Sequence, residues 1–168
     1  VYERYFGALT PARPHTAFSV TKSFIGTLAA MLVAEGKLEA SAPASHYLPE
    51  LAASGFGDAT VEQVLDMTTA LDFSENYVGG SDSFLSFARA AGVFQRPAGY
   101  AGPSSIMPLL PTIARKGDHG EAFTYRSPNT EVLGWLIARV TGKRPEVVLQ
   151  ERIWSKLGAE QDAYFAID

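Results

Sequence analysis

The 168-residue chain contains no cysteine, which excludes disulfides, thiolate metal sites and a cysteine nucleophile. That absence leaves the compartment open, because a cysteine-free chain folds as well in the cytoplasm as in the periplasm. Long apolar runs are also lacking. The longest, Ile25 to Ala34, falls far short of the ~20 residues that a membrane span requires. No block of like charge occurs, and 14 Lys and Arg against 18 Asp and Glu give a net charge of −4. Neither nucleic acid nor an anionic membrane is therefore expected as a partner. No signal-peptide pattern is visible, yet the chain opens on Val1 rather than Met, so an upstream segment removed by processing stays open. His15, His46 and His119 are scattered without ligand spacing, so no metal is expected, and nothing points to another cofactor. Asp72, Glu75 and Asp82 share one stretch, which reads as a solvated acidic loop rather than a calcium site.

What is present is ordinary globular composition, 46% apolar and 19% charged, at a length that suits one domain with its own core. From Ser19 to Glu35 apolar residues recur at helical spacing (Phe24, Ile25, Leu28, Leu32, Val33), with Gly36 as a natural stop. Residues 37–59 read as a loop with short elements, punctuated by Pro43, Pro49, Gly55 and Gly57. Thr60 with Gln63 forms a capping-box signature and predicts a helix through about Thr69. A polar loop over 72–82, a helix over 83–91 and an irregular stretch over 92–103 follow. Residues 105–116 are expected to be helical in part, broken by Pro108 and Pro111. Ser127 then reads as an N-cap before Pro128, opening a helix whose stripe is Val132, Leu133, Leu136, Ile137 and Val140. A last helix runs from Pro145 to about Lys156, closed by Gly158. The sum is mainly α, with few strand candidates and no internal repeat.

One constellation carries chemistry. In Ser19-Val20-Thr21-Lys22 residues three apart share a helical face, so the Lys22 amine can reach the Ser19 hydroxyl. The helix N-terminus adds partial positive charge that favours the oxyanion of acyl transfer. A lysine ammonium, ordinarily protonated up to about pH 10.4, acts as a base near neutrality only where burial, a cation or a hydrogen bond favours its neutral form. A Ser–Lys pair can then replace Ser–His. Spacing alone also describes a serine N-cap with an exposed lysine one turn later. Both readings stand at this point.

The stretch Phe18-Ser-Val-Thr-Lys-Ser-Phe-Ile-Gly26 resembles the nucleophile helix of class C β-lactamases, related esterases, D-aminopeptidases and penicillin-binding proteins. About a hundred residues on, Tyr125-Arg-Ser-Pro-Asn-Thr-Glu-Val-Leu-Gly-Trp135 resembles that family's second element, a Tyr-x-Asn or Tyr-x-Ser tripeptide before a helix on the far wall of the cleft. Tyr47-Leu-Pro-Glu-Leu, Thr60 to Thr69 and Leu71-Asp-Phe-Ser-Glu-Asn-Tyr77 are similar in the same order, and sit nearest the 6-aminohexanoate-dimer hydrolase branch. The resemblance implies Ser19 as the acylated nucleophile, with Lys22 and Tyr125 sharing the proton traffic. Which of the two is the base stays open, since coupled groups have no private titration. It further implies Tyr77 as a lid residue touching substrate. Ser127 would orient groups in the cleft, beside its plainer reading as an N-cap. The substrate implied is a small amide or ester.

Complete members of the family carry a third element, a Lys/His-Thr/Ser-Gly strand that completes the oxyanion hole, and paired strands before the nucleophile helix. No such tripeptide follows Tyr125, and 18 residues precede Ser19. The resemblance thus implies that residues 1–168 are a single partial domain. It would be the central helical portion of a β-lactamase/transpeptidase-like α+β fold, with the flanking sheet segments largely missing. Such a chain would be weakly active or inactive unless the missing segments are supplied, since one lost oxyanion donor lowers rates by about 10²–10³. The back of the Ser19 helix would favour association with the missing segments or with a second copy. Two other readings compete: a non-catalytic binding or structural module on the same scaffold, and a relative directed at β-lactams or peptidoglycan.

Overall fold

A computed structural model describes residues 2–166. Its elements are helical: α1 (Val20–Ala34), α2 (Ala44–Tyr47), α3 (Val61–Leu65), α4 (Asp82–Ala90), α5 (Ser127–Thr141), α6 (Pro145–Leu149) and α7 (Ser155–Leu157). Short 3-10 turns cover Pro49–Leu51 and Leu110–Thr112, and a π turn over Gln150–Trp154 joins α6 to α7. Among the described residues β pairing is limited to two isolated antiparallel bridges, Pro43 with Thr60 and Leu71 with Arg115. No described helix is long and apolar enough to cross a membrane.

The core is built on α1 against α5, with α2, α3 and α6 packed onto α5. α1 buries Ile25, Leu28, Ala29 and Leu32, the i, i+3, i+4, i+7 stripe that one helical face presents. Its outward face carries Ser23, Thr27, Ala30 and Ala34, all exposed and small. The helix ends in a Schellman turn: Gly36 takes φ +69, its N–H meets the Val33 carbonyl at 2.9 Å, and Lys37 N–H meets Leu32 at 2.9 Å. α5 buries Val132, Leu133, Leu136 and Ile137 on one side and stops at Gly142, also left-handed.

Several predicted boundaries move. The capping box of Thr60 and Gln63 forms in both directions, but α3 ends at Leu65, well before Thr69. The cause is Met67, which adopts φ 54 and closes a second Schellman turn, Thr68 N–H meeting the Gln63 carbonyl at 2.9 Å. Within 105–116, only Leu110–Thr112 is helical, as a 3-10 turn, because Pro108 and Pro111 each remove a backbone donor. The helix after Tyr125 starts one residue early. Arg126 holds the N-cap position with φ −146, and Ser127 is already helical, so the Ser127 hydroxyl is not the cap predicted from sequence.

Candidate active site

Ser19 stands at the N-cap of α1 with φ −72 and ψ −5, and its side chain makes no capping bond. The first amides are satisfied instead by a tight turn. Val20 N–H meets Ala17 O at 3.0 Å, Thr21 N–H meets Phe18 O at 3.1 Å, and Lys22 N–H meets Ser19 O at 3.0 Å. That turn is entered through Phe18 at φ 44, a left-handed conformation that L residues avoid. The Ser19 hydroxyl is thereby released from backbone duty and exposed.

Two side chains converge on it. Lys22 Nζ donates to Ser19 Oγ at 3.0 Å, from one turn further along α1. Tyr125 Oη donates to the same oxygen at 2.7 Å, from the segment that leads into α5. The Lys22 ammonium also lies over the Tyr125 ring, 5.1 Å from its centroid, a cation–π contact that closes the triangle. The Ser19 side chain makes no capping bond, and the Lys22 side chain turns back onto Ser19 Oγ. An oxygen that receives two donors is stabilised as it gains negative charge.

The position of Tyr125 is set by a polar seam between residues 67–75 and 124–129. Thr124 N–H meets the Met67 carbonyl at 2.9 Å. Arg126 Nε donates to Phe73 O at 3.0 Å and its Nη1 to Thr69 O; burial draws this guanidinium below its ordinary range. Asn129, fully buried, accepts from the Thr69 hydroxyl at 2.7 Å and donates to Arg126 O at 3.3 Å. Ser127 is buried, with its N–H donating to Glu75 Oε2 and its hydroxyl to Glu75 Oε1 at 2.6 Å.

Glu75 is therefore no member of a solvated acidic loop, as its neighbours Asp72 and Asp82 suggest, but a half-buried acceptor for both ends of Ser127. It also accepts from Tyr77 Oη. The Tyr77 ring is 62% exposed and packs edge-on against Phe84, 4.8 Å between centroids. Desolvation first, then the hydrogen bond and charge of Glu75, push the Tyr77 phenol well above its usual range, so it stays a donor. The loop closes on itself through Ser74, whose carbonyl accepts from Ser81 and Ser83.

His119 ties the other flank. Its Nδ1 accepts from Ala70 N–H at 2.8 Å, which leaves the proton on Nε2, 3.2 Å from Asp58 Oδ1. No group of three His, Asp or Glu side chains able to hold a metal occurs among the described residues. A shallow depression lined by Leu149, Trp154, Tyr164 and Phe165 includes none of Ser19, Lys22 or Tyr125.

Asn129 has a signal in the sequence, since a polar residue on the Val132–Leu136 stripe must be satisfied inside. Arg126 and Glu75 have none, because the partners that tie them into the seam lie more than fifty residues away.

Residues 1–165 match the family model described as Beta-lactamase. A 6-aminohexanoate-dimer hydrolase of Paenarthrobacter ureafaciens is 37% identical over 166 residues, covering 99% of this chain and 42% of that protein. The structure of a candidate 6-aminohexanoate-dimer hydrolase from Bacillus anthracis superposes with a TM-score of 0.90 at 30% identity, covering 99% of this chain and 44% of that one. A penicillin-binding-protein homologue from Caulobacter crescentus gives a TM-score of 0.60 at 27% identity, over 84% of this chain and 34% of that one. The chain thus spans less than half the length of these relatives.

Proposed function

The chain belongs to the beta-lactamase family, and on that premise we propose that it carries the nucleophile half of a serine hydrolase acting on small amides or esters. The observation that carries this reading is the shared oxygen: Ser19 Oγ lies 3.0 Å from Lys22 Nζ and 2.7 Å from Tyr125 Oη. In the proposed cycle the Lys22–Tyr125 pair starts one proton short, as lysine amine with phenol or ammonium with phenolate; Ser19 Oγ attacks the substrate carbonyl carbon, and its proton fills that vacancy. That pair then protonates the departing amine or alcohol as the C–N or C–O bond breaks. Water attacks the acyl ester next, releasing the acid and restoring the Ser19 hydroxyl. Tyr77 is the substrate-facing residue of the loop, and Ser127 orients the Tyr125 wall. No cofactor has a step in this scheme. Residues 1–168 act in it as one partial domain.

The test is a serine-directed fluorophosphonate followed by intact-mass and peptide analysis. A single adduct on Ser19 is expected, absent from Ser19→Ala and from denatured protein. Lys22→Ala and Tyr125→Phe should each slow labelling by about 10²–10⁴. Absence of any adduct on folded protein, alone and in a version extended at both ends, sinks the reading in favour of a non-catalytic module. A p-nitrophenyl ester, a short linear amide and a fluorescent penicillin, compared side by side, rank the substrate classes.

A further inference from the structure

We propose that Glu75 is a positioning residue that acts through Ser127 to hold the Tyr125 phenol against Ser19, an inference that rests on the acyl-enzyme reading above. Three donors converge on this one carboxylate: Tyr77 Oη and Ser127 Oγ on Oε1, and Ser127 N–H on Oε2. Ser127 lies two residues after Tyr125, at the first helical position of α5, where an unsatisfied N–H and the helix dipole both favour an anion. The remaining anchors of this wall lie to either side of the Tyr125 backbone or deeper. Thr124 is held by Met67, Arg126 by Phe73 and Thr69, and Asn129 by Thr69. Glu75 is the anchor that fixes the helix start itself, and it does so with an ion rather than a carbonyl. A charge-assisted bond is roughly twice as strong as a neutral one, so removing the charge loosens the wall without removing a packed side chain.

The experiment is a double-mutant cycle read by the rate of Ser19 phosphonylation. Glu75→Gln keeps the shape and one acceptor oxygen, and is expected to slow labelling about tenfold to a hundredfold, the penalty of misplacing a reacting group by a fraction of an ångström to about 1 Å. In a Tyr125→Phe background the same change should add less than about twofold, because the group it positions is gone. Equal losses in both backgrounds would mean general destabilisation, and no loss in either would mean no role; each overturns the proposal. If the unmutated protein takes no phosphonate, alone or extended at both ends, the acyl-enzyme reading fails by itself. Glu75 is then judged by amide hydrogen exchange in Glu75→Ala. Faster exchange at Arg126 and Ser127 with unchanged exchange in α1 supports the tether, and unchanged exchange at both overturns it.

Discussion

The α1–α5 pair and the polar seam beside it hold residues in place by different physics. In the first, side chains such as Leu28, Leu32, Leu136 and Ile137 are fully buried, and the backbone satisfies itself within each helix. In the second, the irregular segment Met67 to Glu75 runs against Thr124 to Asn129, the lead-in and first turn of α5, and side chains bond the facing backbone. Burial is non-directional and sums over area; hydrogen bonds are directional and individually small in net worth. The helix pair therefore supplies stability, and the seam supplies aim. Ser19 and Lys22 belong to the first region, Tyr125 to the second.

Three substitutions sharpen that contrast, in descending order of effect. Leu136→Ala, at a fully buried position, should cost about 2–5 kcal/mol in urea denaturation, while folded molecules keep the labelling rate of Ser19. Asn129→Ala leaves the buried Thr69 hydroxyl without its acceptor and should cost about 1–3 kcal/mol. Here the labelling rate should fall even in molecules that remain folded, because the seam sets Tyr125. If the two variants shift rate and stability in the same proportion, the division between the regions is wrong.

The smallest effect concerns Asp58. Desolvation pushes its carboxyl up, but the hydrogen bond from His119 and the charge of Arg115 outweigh that and hold it below its ordinary 3.8. The folded state thus takes up this proton less readily than the unfolded chain does. Its contribution is present above the ordinary value and is lost as pH falls through the lower, folded one. Asp58→Asn should flatten the acid limb of stability below about pH 4 and change neutral stability by less than about 1 kcal/mol, as for an exposed pair. Melting temperatures across pH 2–7 check both.

The same division explains what was legible in the sequence. α1 and α5 announce themselves by apolar period, and Thr60 with Gln63 by a three-residue spacing; both signals are local. Ser19 and Lys22 are local too, three residues apart on one turn. Tyr125 meets Ser19 across 106 positions, and only ordered resemblance linked them. Apart from Asn129 the seam left no local trace, because a glutamate that anchors a helix 52 residues away looks like any loop acid. Met67 ends α3 early for a related reason: a left-handed methionine carries none of the warning that glycine does.

Phe18 and Met67 are the described non-glycine residues with positive φ, and each adjoins a segment of the candidate site. One directly precedes Ser19, and the other lends its carbonyl to the strand of chain before Tyr125. A left-handed L residue carries about 1–2 kcal/mol of local strain, so a protein engineer seeking a hardier molecule would first exchange these two for glycine or asparagine. Those exchanges would also slacken the two hinges nearest the hydroxyl. On the proposed reading, a gain in stability at either position would be expected to come with a looser Ser19–Tyr125 contact.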